Sequence, residues 1–209
     1  LKKHKDKFSV VHNGIEDISL NVKIESSQQT RFVLIARIMP EKGQWFLLDT
    51  LKLIKKDSLE KIRIDIVGSP PPFRENLLEE LKNKVNEYDL QNVVYISNFI
   101  ENPAEIICNA DVVLVPSIMA DPFPTTVLEG MCCRKPVIST NHGGSKEIIK
   151  EGETGFLINP YDTDAFKNSI LYFLNKPHKI KIFGENSRNL YEKYLTLESF
   201  KTRFLKVFN

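Results

Sequence analysis

The chain has 209 residues, 42% of them hydrophobic, enough to bury the core of one large domain or two small ones. Lys and Arg number 29 against 27 Asp and Glu, a net charge of +2, so no global field recruits nucleic acid and any polyanion must be held by local charge. The three cysteines lack metal-ligand spacing with the four histidines, no apolar run reaches the ~20 residues of a membrane span, and LKKHKDKFSV lacks the apolar core of a signal peptide. We expect reduced, packed thiols in a soluble cytoplasmic chain. Because the sequence begins at Leu1 and not at Met, we also expect a piece of a longer protein.

After a charged opening, expected to be poorly ordered, the apolar run Phe8 to Val11 stops at the turn signal Asn13-Gly14, and Ser26 to Gln29 read as a polar loop. From Arg31 onward, strand-like runs alternate with helical patterns. RFVLIA precedes a helix over about 43–56, and IRIDIVG one over about 75–88. VVYIS precedes a short helix near 103–109, DVVLVPS one starting near Thr125, and PVIST one near 144–150, before GFLI. Runs such as VVLV carry no polar alternation, so both of their faces should be buried. The alternation predicts an α/β fold: a parallel sheet of about six strands with helices on both faces. From Asp162 to Asn209 only helical patterns remain, broken near Lys176-Pro177 and Leu195-Thr196. We therefore divide the chain into a leading strand-and-loop segment (1–30), the α/β domain (31–174) and C-terminal helices (175–209).

Ligands of open parallel sheets bind beyond the carboxyl ends of the strands, which singles out three loops. The loop after RFVLIA, Arg37 to Gly43, has one glycine and two cations, so it is no dinucleotide-binding G-x-G-x-x-G; a P-loop is absent too. Arg37 and Lys42 could neutralise a polyanion, or Arg37 could pair with an acid while Lys42 stays solvated; their spacing leaves both open. Gly68-Ser69-Pro70 follows the second strand. In DPFPTTVLEG, a helix starting at Thr125 offers unpaired amides and a positive dipole end to phosphate, unless Asp121, Thr125 or Thr126 caps it. Glu129, one turn further, suits vicinal hydroxyls. Asp162-Thr163-Asp164 has the D-x-D form of a metal site but stands where a helix cap belongs. His142 has no identified catalytic partner. Cations, a helix end and flanking acids together suit a ligand carrying phosphates and sugars.

VVHNGI, ARIMPEKG, IVGSPP, ADVVLVPS, DPFPTTVLEGM, KPVISTNHGGSKEII, GETGFLI and a D-x-x-A helix start follow in order over about residues 8 to 174. They resemble the C-terminal half of the family 4 retaining glycosyltransferases, which have the two-lobed GT-B fold. The resemblance implies a Rossmann-like nucleotide-sugar-binding domain in which Arg37 and Lys42 hold the diphosphate and Glu129 the ribose. Asp121, matching the first acid of an E-x7-E motif, would lie near the donor sugar. Phe123, Pro124, Thr125 and Thr126 would contact phosphate or sugar beside Gly68, and Asn98, Phe99 and Ile100 would border the base. Gly143, Gly144 and Glu147 match a G-G-x-x-E motif. Three residues depart from the pattern: Asp121 is one methylene shorter than the usual Glu, Pro124 removes an amide, and Arg134 stands where Gly often ends the helix.

The implied reaction transfers a sugar from a nucleotide diphosphate sugar to an acceptor hydroxyl with retention, without metal or other cofactor. It would serve polysaccharide, lipopolysaccharide or glycolipid synthesis, with the complete enzyme cytoplasmic or peripheral at the inner membrane face. The acceptor would bind an N-terminal lobe toward which the last helices reach, leaving this part inactive by itself. A nucleotide-sugar epimerase of the same fold and a non-catalytic nucleotide-sugar-binding module are the alternatives. A phosphorylase is disfavoured, because no lysine is placed for a pyridoxal cofactor. Base, sugar and acceptor are not legible.

Overall fold

The computed structural model describes residues 9–207 except 21 and 26. The charged opening, Phe8 of the first apolar run and Ser26 of the polar loop lie outside the described residues.

The apolar runs form β1 (Thr30–Ile35), β2 (Ile62–Val67), β3 (Val94–Ser97), β4 (Val112–Val115), β5 (Val137–Thr140) and β6 (Gly155–Ile158). They make one six-stranded sheet in the order β3-β2-β1-β4-β5-β6, with every pairing parallel. Phe32 stands beside Ile64 on one side and Val112 on the other, which puts β1 at the centre. All four residues of VVLV are buried, because a central parallel strand is covered on both faces.

Side-chain alternation sorts β1 between two cores. Phe32 and Leu34 join a cluster with Ile64, Ile66, Leu47 and Phe166, while Val33 joins Val113, Val127, Leu128 and Tyr191. The first is covered by α1 (Gln44–Leu51), α3 (Asn76–Glu87) and α7 (Thr163–Asn175). The second is covered by α4 (Ala104–Asn109) and α5 (Thr125–Cys132). Between these lie the short α2 (Lys56–Leu59) and α6 (Ser145–Ile148). The helix expected over about 43–56 is thus two helices: Leu53 is exposed, Ile54 turns back into the core, and Lys55 is extended.

After β6 the chain is helical, through α7, α8 (Pro177–Leu190), a π-helical turn (Tyr191–Leu195) and α9 (Leu197–Leu205). Asp162 caps α7 by accepting from the Ala165 amide at 2.9 Å, so D-x-D here is a helix start. The leading segment threads between these helices and the sheet domain: Ile15 N–H donates to Leu195 O at 3.0 Å, and Tyr191 Oη donates to Ile15 O at 3.1 Å. Among the described residues, no helix is long and apolar enough to cross a membrane.

Candidate functional site

In this sheet β1 and β4 are neighbours, and the chain leaves them in opposite directions, toward β2 and toward β5. Such a reversal of strand order opens a crevice beyond the carboxyl ends, where loops diverge. The loop after β1 is anchored by Ala36 N–H to Val67 O at 3.1 Å and Ile38 N–H to Ser69 O at 3.0 Å, then tightens into a 3-10 turn, Pro40–Lys42. Gly43 ends that turn at φ 81°, and a Cβ there would lie 1.9 Å from Pro116 O. Only glycine lets the loops after β1 and β4 touch. Their contact continues as Ile118 N–H to Glu41 O at 3.0 Å and ends in an ion pair, Lys42 Nζ to Asp121 Oδ2 at 2.8 Å.

The loop after β5 closes the other side. Gly144 N–H donates to Asp121 O at 2.8 Å. A Cβ on Gly143 or Gly144 would come within 2.1 Å of the carbonyl oxygen of Asp121 or Pro122 respectively. The G-G pair is therefore the surface on which the DPFP loop lies.

These contacts bear on two alternatives left open by the sequence. Arg37 is exposed, and its guanidinium has no ion-pair partner among the described residues; the cation that pairs with an acid is Lys42. Pro124 is the residue before α5, and among the described residues no side chain caps that helix. Asp121 is engaged by Lys42, and Thr126 Oγ1 donates to Ile35 O at 3.3 Å. The amides of Thr125 and Thr126 thus have no side-chain acceptor among the described residues, at the positive end of the helix dipole.

Two cavities adjoin here. One, of about 320 Å³, is walled by Arg37, Lys42, Ser117, Asp121, Thr125 and Thr126, with Phe123 and Pro124 also on its rim. The other, of about 230 Å³, shares Arg37, Lys42 and Asp121 and adds Met39, Glu41 and Met119. Glu129 stands one turn behind, in neither wall, half-buried and without a hydrogen-bond partner among the described residues. Burial pushes its carboxyl above the usual range, since the charged form has lost water.

Gly68 lies against Ala36, next to the first loop. Asn98 and Phe99 are exposed at the far end of β3, tied in by Phe99 N–H to Ser69 Oγ at 3.1 Å, while Ile100 packs on the core; these three line neither cavity. Sequence reasoning missed Glu41, although it stands in PEKG beside Lys42. It also missed His12, whose ring stacks on Phe123 with centroids 5.1 Å apart and whose Nε2 meets Glu147 Oε2 at 2.8 Å. The VVHNGI motif was the available signal. His142 Nε2 is buried without a partner among the described residues. Nor do those residues include a cluster of His, Cys, Asp and Glu that could hold a metal.

The chain is 25% identical over 198 residues to an uncharacterized glycosyltransferase of Methanocaldococcus jannaschii, covering 93% of this chain and 49% of that protein. It is 35% identical over 124 residues to the alpha-1,3/1,6-mannosyltransferase of Dictyostelium discoideum, covering 58% of this chain and 29% of that one. It thus spans about half or less of the length of these relatives. Among solved structures, a glycosyltransferase from Rickettsia africae superposes with a TM-score of 0.89 at 22% identity, over 97% of this chain and 57% of the other. Anabaena HepE in complex with UDP and glucose superposes with a TM-score of 0.84 at 22% identity, over 96% of this chain and 56% of the other. Those two likenesses speak for the fold, a lobe of GT-B architecture. The model of the family described as glycosyl transferases group 1 matches residues 17–190, most of the length and every loop of the crevice, so the chain belongs to that family.

Proposed function

We propose that this chain is the donor-binding lobe of a glycosyltransferase, taking a nucleotide diphosphate sugar whose sugar passes with retention to an acceptor hydroxyl held by a companion lobe. The observation that carries the reading is one cavity at the strand-order reversal walled by Arg37, Lys42 and the start of α5, which no side chain caps among the described residues. Three sources of positive potential line that one space, beside a single acid that is paired with Lys42, and a multiply charged anion such as a diphosphate uses all three. The complexes of Anabaena HepE with UDP and with UDP-glucose make these the first ligands to try.

In this reading, Arg37, Lys42 and the α5 amides stabilise charge as it develops on the leaving diphosphate, without a divalent metal. Lys42 is held toward the cavity by Asp121 before the ligand arrives, so its long side chain loses less freedom on binding. Glu129 accepts from the ribose hydroxyls, and the exposed Phe99 borders the base. Synthesis of a polysaccharide, lipopolysaccharide or glycolipid at a cytoplasmic membrane face fits such a donor lobe, as does a hexose as the transferred sugar.

Each charge-assisted contact contributes about 1.5 to 3 kcal/mol, or roughly ten- to a hundredfold in affinity. Calorimetry with UDP and GDP should show Arg37→Ala and Lys42→Ala each weakening diphosphate binding by that factor while the melting temperature moves little for Arg37→Ala. Unchanged affinity in both variants would remove the site from consideration.

A further inference from the structure

Glu41 does not belong with the phosphate-holding groups, yet it lies in the wall of the second cavity beside them. Its Oε2 is buried and has no hydrogen-bond partner among the described residues. A buried carboxylate oxygen left without a donor costs free energy, and native folds keep few of them. Its main chain is fixed all the same, because Glu41 O accepts from the amides of Ile118 at 3.0 Å and Met119 at 3.4 Å. The residue is thus held at its main chain, while one of its two carboxylate oxygens is buried without a partner among the described residues.

The cavity of about 230 Å³ has three kinds of wall. Arg37, Lys42 and Asp121 form the side shared with the phosphate cavity, Glu41 adds a second carboxylate, and Met39 and Met119 supply an apolar face. A pyranose matches that set: hydroxyls donate to carboxylates, and the C–H face of the ring packs on thioethers. A second phosphate does not match it, because two carboxylates would repel it.

Resting on the nucleotide-sugar reading, we infer that Glu41 is a specificity-determining residue that accepts a hydrogen bond from a hydroxyl of the transferred sugar, in a subsite beyond the diphosphate. Asp121, held by Lys42 at 2.8 Å, has one carboxylate oxygen committed to the cation. Glu41 supplies an acceptor that is not so committed.

The test is calorimetry on the whole chain with UDP, GDP, UDP-glucose, UDP-galactose, UDP-N-acetylglucosamine and GDP-mannose, for the unaltered protein and for Glu41→Ala and Glu41→Gln. For the best-bound nucleotide sugar, Glu41→Ala should weaken binding at least tenfold, the loss of one charge-assisted hydrogen bond, and leave the parent nucleotide within twofold. Glu41→Gln, which keeps an acceptor, should recover part of that loss. The melting temperature of Glu41→Ala should stay level or rise, since an unsatisfied buried oxygen is removed. Equal loss of nucleotide and nucleotide sugar, or no loss of either, overturns the inference alone. Failure of the unaltered chain to bind any of the six overturns the donor reading and this one with it.

Discussion

Burial and charge oppose one another at Glu129. In the folded chain its carboxyl holds its proton more tightly than an exposed carboxyl does, with desolvation as the cause. Its contribution therefore favours folding at acid pH and is lost as pH rises from the ordinary carboxylate value through the raised folded value. Glu129→Gln should melt above the unaltered protein at neutral pH, with the difference closing at acid pH where both side chains are neutral. Melts that coincide at neutral pH would contradict this. Under the donor reading, the same substitution should weaken nucleotide binding, so stability and affinity move in opposite directions. The sequence marked Glu129 by its place one turn past a helix start. It could not show that the side chain is half-buried and, among the described residues, unpartnered, because burial depends on what other elements bring against it.

The element that organises the site is α5, and its start was legible in Pro124-Thr125. Less legible was what satisfies its first turn, since Asp121, Thr125 and Thr126 were all candidate caps within reach. Asp121 is instead drawn to Lys42, far away in sequence, and its carbonyl is held by Gly144. Gly144→Ala would set a Cβ 2.1 Å from Pro122 O, against backbone that cannot swing aside. We expect a loss of about 1 to 3 kcal/mol in urea unfolding from the overpacking, together with nucleotide affinity reduced at least tenfold as the amides of Thr125 and Thr126 lose their aim. Unaltered affinity would mean that the glycine pair does not position α5.

Across the whole molecule, the leading segment is stapled to the C-terminal helices through Arg188. Its guanidinium donates to Asp17 Oδ2 at 2.6 Å, Glu192 Oε1 at 2.6 Å and Cys132 O at 2.8 Å. Arg188→Ala would leave Asp17 without its cation and should cost about 3 kcal/mol, the lower end for a largely buried pair. The Arg188 hydrogen bond holds the Asp17 carboxyl well below the usual range. A depressed carboxyl stabilises the fold above its ordinary value, and that stability fades as pH falls through and below that value. Asp17→Asn should accordingly flatten the acid limb of the stability curve; an unchanged limb would place acid sensitivity elsewhere.

The sequence by itself determined which segments are strands and, apart from the break between α1 and α2, where the helices lie, that the sheet is parallel and covered on both faces, and which loops stand at the strand ends. These follow from residue periods and chain order, properties that short windows of sequence carry. Only the tertiary structure decided that Lys42 meets Asp121, that Gly144 supports the DPFP loop, that Glu41 faces a cavity and that Arg188 reaches Asp17. Each of these contacts requires β1 to lie against β4, β4 against β5, or the last helices to return to the first segment. Such adjacency is set by how the two cores bury their apolar faces together, and no local pattern encodes it.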